Sequence, residues 1–121
     1  MMRNLVVEEA RRWIGTPFRH QGAVHGAGAD CAGLVLGVAR ALMLTDYKPA
    51  PCSRQPATDE LERHLYLAGC TGIPLHMGRA GDVAQFTIPG GLGHIGIFTG
   101  ASVIHAWHAA GAVVEMPLTG A

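Results

Sequence analysis

Gly26-Ala27-Gly28-Ala29-Asp30-Cys31-Ala32-Gly33-Leu34-Val35-Leu36 is the stretch that decides how this chain folds. A glycine-rich loop runs into an acidic residue and a cysteine, and an apolar run of helical length continues to Leu44, broken only by Arg40. The pattern predicts a buried central helix, with Cys31 in its first turn. The opening N–H groups of a helix have no partners within it, and their partial positive charge favours an anion placed there. A thiol in that field loses its proton more easily, and the thiolate is the nucleophile. The same N–H groups suit the oxyanion of a tetrahedral intermediate. Asp30 has an N-cap side chain that can accept from an N–H one turn in. A cysteine is also a small hydrophobe common in cores, so the rest of the chain must separate the two readings.

The 121 residues support one domain, 1–121, with one modest core. Hydrophobic content of 49% and charged content of 15% describe a globular chain. A formal net charge of zero provides no global field for nucleic acid or an anionic membrane surface, so neither is expected as a partner. The N-terminus meets Glu8 before a signal-peptide apolar region can form, and no apolar run reaches membrane-spanning length. Cytoplasmic synthesis without a signal peptide is the expectation. Cys31, Cys52 and Cys70 are odd in number and lack paired spacing, which predicts free thiols, with Cys52 and Cys70 as bystanders.

Val6, Ala10, Trp13 and Ile14 recur at helical spacing over residues 2–14, and Gly15-Thr16-Pro17 ends that amphipathic helix. Residues 18–28, with glycines at 22, 26 and 28, read as a loop of functional length. Residues 45–57 contain Pro49, Pro51 and Pro56 and read as irregular. Thr58 suits the cap of a third helix with Leu61, Leu65 and Ala68 as its apolar stripe, ended by Gly69 and Gly72. The second half alternates: a strand over 82–88, a turn at Pro89-Gly90-Gly91, a strand over 94–99, a tight turn at Gly100-Ala101, a strand over 102–107 and a short one over 113–116. Helices followed by an antiparallel meander predict an α+β fold with the helices packed on one face of the sheet.

A cysteine nucleophile needs a base and usually a group that orients the base. A two-residue turn at Gly100-Ala101 sets His94 opposite Trp107, which places His105 on the same face and diagonal to His94. A three-residue turn would reverse that, because a one-residue slip flips every side chain. Cys31, His94 and His105 are also competent zinc ligands, but there is no CxxC or HxxxH spacing, and the expected metal complement is none.

Gly15-Thr16-Pro17-Phe18, Asp30-Cys31-Ala32-Gly33-Leu34, Gly81-Asp82-Val83, His94-Ile95-Gly96-Ile97 and Ile104-His105-Ala106, taken in order, resemble the NlpC-type cell-wall peptidases. These are papain-like cysteine enzymes, and the resemblance covers nearly the whole chain. It implies Cys31 as nucleophile, His94 as base and His105 as the orienting residue, without a cofactor. It implies a peptidoglycan stem peptide as substrate and a substrate-binding role for Asp30. Phe18 stands where the family generally has a tyrosine whose hydroxyl supports the oxyanion, and Arg19-His20-Gln21-Gly22 replaces the usual Trp-Gly-Gly. That variant resembles members associated with phage tails and gene-transfer particles, which implies tail proteins as partners and a virion-associated location. His20 is expected to supply part of the polar contact that Phe18 cannot. An alternative is an inactive tail-assembly protein that keeps the fold. Beside the family pattern the domain reads as lacking a final C-terminal strand, and the open sheet edge would let two copies pair.

Overall fold

The computed structural model describes residues 2–47, 58–88 and 92–118. The expected turn at Pro89-Gly90-Gly91, most of the irregular stretch 45–57, and Cys52 lie outside them. Helix α1 (Met2–Arg12) leads to a short hairpin, β1 (Ala23–Val24) and β2 (Gly28–Ala29), then helices α2 (Cys31–Ala41) and α3 (Thr58–Leu67). Strands β3 (Val83–Ile88), β4 (Leu92–Phe98), β5 (Ser102–Trp107) and β6 (Ala112–Pro117) follow. They form one antiparallel sheet in the order β3-β4-β5-β6. This is the α+β arrangement expected, and the pairing of consecutive strands is what short turns allow.

Alternation along β4 and β5 sends Ile95, Ile97, Ile104 and Ala106 to one face of the sheet. They join Val6, Ala10 and Trp13 of the N-terminal segment, Leu34, Val35 and Val38 of α2, and Leu61 of α3 in one buried cluster. The central helix has no polar stripe because it is covered on every side from Gly33 to Val38. Trp13 packs against Gly37, where an added Cβ would come within 2.2 Å of the indole. Glycine at this position therefore lets α1 approach α2 closely.

Three expectations need correction. The apolar run reaches Leu44, but α2 stops at Ala41 because Met43 adopts a left-handed conformation, φ 59°. Leu44 N–H then donates to Ala39 O and Met43 N–H to Arg40 O, a Schellman ending in which methionine takes the position usually held by glycine. Periodicity of apolar residues carries no information about that reversal. The first helix ends at Arg12, which leaves Ile14 beyond it and exposed rather than on the buried stripe. The loop 18–28 contains most of the β1–β2 hairpin, whose turn is closed by Ala27 N–H to Val24 O at 3.0 Å, and Arg19 N–H donates to Ala29 O on the other side of β2 at 3.1 Å. The third helix ends as expected, with Gly69 at φ 101° in a second Schellman motif. The side chain of Thr58, the expected cap, lies outside the described ones.

The edge at β6 is partly covered by the chain itself. Gly15 N–H donates to Val113 O and Val113 N–H to Thr16 O, both at 2.9 Å, and Phe18 N–H donates to Gly111 O at 2.8 Å. Residues 15–18 thus run beside the start of β6 and join it to β2, which Phe18 meets through a bridge to Ala29. Asp82, from the Gly81-Asp82-Val83 motif, has a structural task. It pairs with Arg3 at 2.6 Å and accepts from Arg79 N–H at 2.8 Å, which holds α1 to the start of β3.

Candidate active site

Asp30 caps α2 as its sequence position requires. Its Oδ1 accepts from Gly33 N–H at 2.7 Å, and its backbone is extended. Its Oδ2 accepts from Gln21 N–H, also at 2.7 Å, and Asp30 N–H donates to Gly22 O at 3.1 Å. One buried carboxylate therefore fastens the turn at 20–22 to the head of the helix. The fit depends on glycine at two places. A Cβ on Gly33 would lie 1.7 Å from Gly22 O, and one on Gly22 would lie 2.7 Å from Gly28 O. Sequence reading missed this contact, although the Gly two residues after Cys31 was its signal.

Cys31 is half-buried and packs against the core cluster as the first residue of α2, the helix that lies across β4 and β5. Helix geometry leaves the Cys31 and Ala32 N–H groups without intrahelical acceptors. His20, half-buried and next to the anchored Gln21, makes no side-chain hydrogen bond among the described residues. Phe18 meets His108 edge-on with ring centroids 5.4 Å apart and has no donor to offer.

The two-residue turn at Gly100-Ala101 forms, closed by Thr99 N–H to Ser102 O at 2.9 Å. Ile97 faces Ile104 and Phe98 faces Val103, the register that brings His105 diagonal to His94. The imidazoles meet through His94 Nε2 and His105 Nδ1 at 2.6 Å, and both residues are buried. Gly96 makes room for this contact, since a Cβ there would be 2.9 Å from His105 Cβ. Trp107 shields both rings, stacked on His105 at 5.5 Å and edge-on to His94 at 5.3 Å. On the far side of the pair, His105 Nε2 lies 2.9 Å from Met116 Sδ. The sequence places Trp107 opposite His94 but gives it no role at the site, and Met116 reads there as an ordinary apolar strand residue.

Burial, with a smaller contribution from His105, pushes His94 down to about 4, and burial also lowers His105. Both rings are therefore neutral at pH 7. An unfolded histidine titrates near 6.5, so between that pH and about 4 the unfolded chain binds a proton that native His94 refuses. Stability is thus full above pH 6.5 and falls as the pH is lowered through the window. The His94 share of that loss is roughly 3 kcal/mol by pH 4. Urea unfolding at neutral and acidic pH should show a smaller acid loss for His94→Gln than for the wild-type chain; equal losses would contradict the assignment.

The arrangement combines a thiol at a capped helix start with an oriented neutral imidazole pair, the parts from which nucleophilic acyl transfer is built. No protein-family model and no curated protein matches the chain. Solved structures do. The NlpC/p60 domain of the peptidoglycan hydrolase SagA superimposes with a TM-score of 0.68 at 26% identity, covering 95% of this chain and 88% of that one. The peptidoglycan hydrolase RipB from Mycobacterium tuberculosis gives 0.68 at 23%, covering 98% of this chain and 59% of that one. The P60 domain of an antigen from M. avium subspecies paratuberculosis gives 0.62 at 24%, covering 97% and 85%. The fold is that of the NlpC/p60 domains.

Proposed function

We propose that this chain, with its NlpC/p60 fold, is a cysteine endopeptidase that hydrolyses peptide bonds in peptidoglycan stem peptides. The observation that carries the reading is the 2.6 Å contact between His94 Nε2 and His105 Nδ1, on the sheet across which the helix headed by Cys31 packs. It commits one nitrogen of His94 to His105 and leaves Nδ1 as the nitrogen for the thiol. The likeness to the SagA domain supports the hydrolase class and the substrate.

In this mechanism His94 Nδ1 takes the Cys31 proton as Sγ attacks the scissile carbonyl. The neutral resting imidazole favours abstraction of the proton during attack over a preformed ion pair. The Cys31 N–H, with His20 from the anchored turn, receives the oxyanion. His94 then protonates the leaving amine, and water, deprotonated by the same nitrogen, releases the acyl group from sulfur. His105 fixes the ring of His94. Being neutral, it gives less electrostatic help than a carboxylate would. Both oxygens of Asp30 accept backbone N–H groups, and in this mechanism Asp30 contributes to substrate binding by holding the 20–22 turn in place.

Site-resolved alkylation tests the reading. Near neutral pH iodoacetamide should modify Cys31 faster than Cys70, whose thiol burial pushes up, and His94→Ala should erase the difference. Equal rates at the two thiols would favour an inactive protein of the same fold. Stem-peptide cleavage followed by mass spectrometry completes the test, and a His20→Ala chain with unchanged kcat would remove His20 from the oxyanion site. We further propose delivery to the wall by a phage tail, on the strength of Phe18 and the Arg19–Gly22 variant. Absence of the chain from purified virions would overturn that.

A further inference from the structure

We propose that Met116 is a positioning residue whose thioether fixes the proton arrangement of the histidine pair, so that His94 Nδ1 is the basic nitrogen. A thioether sulfur carries no proton and can only accept. With Met116 Sδ 2.9 Å from His105 Nε2, that nitrogen must be the one that bears hydrogen. A neutral imidazole has one N–H, so His105 Nδ1 is an acceptor. The 2.6 Å contact then requires His94 Nε2 to be the donor, and neutral His94 is left with a bare Nδ1. The opposite arrangement would put hydrogen on His94 Nδ1, which could then take no proton from a thiol. Strand pairing delivers the contact. His105 faces Val114 across β5 and β6, so Met116, two residues on, shares its face and lies diagonal to it.

The effect on turnover rests on the peptidase reading, but the proton arrangement can be read without substrate. Long-range proton–nitrogen NMR at neutral pH distinguishes Nδ1–H from Nε2–H imidazoles. In the wild-type chain His94 and His105 should both be Nε2–H. Met116 is substantially exposed at 42%, so Met116→Leu should fold while removing the acceptor. His105 should then show a mixture of forms, His94 should follow it, and kcat should fall about 3- to 10-fold with KM unchanged, the scale of one modest hydrogen bond. Met116→Gln, whose amide oxygen accepts, should restore both the spectrum and kcat. Nδ1–H on His105 in the wild-type chain, or identical spectra in Met116→Leu, would overturn the proposal. A wild-type chain that has the expected spectrum but hydrolyses no stem peptide would sink the peptidase reading and leave the Met116 assignment supported.

Discussion

Cys31→Ala is expected to lower stem-peptide hydrolysis by about 10⁴-fold or more while leaving the folded chain almost as stable as before. The two halves of that result come from different features of one residue. Chemically, no other nucleophile stands at the head of α2, so the imidazole pair would have no thiol to activate. Energetically, Cys31 is only half-buried, and the change removes a single sulfur, worth about 1 kcal/mol or less of burial. The cap survives, because Asp30 Oδ1 bonds to the Gly33 backbone and not to the substituted side chain. Parallel measurements of hydrolysis and urea midpoint would check both halves. Retained turnover would remove Cys31 from the mechanism. Lost turnover with a collapsed midpoint would instead make it a structural residue.

How much of this was legible in the sequence follows from the range of each interaction. The cap at Asp30 spans three residues, so local chemistry alone locates it. The His94–His105 contact spans eleven residues, yet it was accessible because a two-residue turn sets the register between them. Met116 lies on β6, beyond the left-handed Gly111 that closes the turn from β5, and a methionine in a strand reads as packing. Its contact with His105 Nε2 is therefore set by the pairing of β5 with β6 and leaves no mark in the sequence. The end of α2 escaped for a related reason: a left-handed methionine leaves no mark in the apolar pattern. Asp82 shows the reverse case, a residue that belongs to the family-like motif set and proves to hold Arg3.

Gly33→Ala is expected to destabilise the chain by about 3 kcal/mol or more, although the same change in an ordinary helix stabilises by about 1 kcal/mol. The sign reverses because of what lies opposite. The new methyl would sit 1.7 Å from Gly22 O, a backbone atom without rotamer freedom. Gly22 cannot retreat alone: its carbonyl accepts from Asp30 N–H, and Gln21 beside it is tied to Asp30 Oδ2. Relief requires the 20–22 turn to leave the head of the helix, which would also shift His20 and slow any alkylation of Cys31 that depends on that turn. Gly72→Ala is the control, since nothing lies within 4 Å of a Cβ there. The urea midpoint should drop for Gly33→Ala and stay level for Gly72→Ala. An unchanged or raised midpoint at position 33 would mean that the turn can move freely, and the proposed place of His20 in the oxyanion site would lose its support.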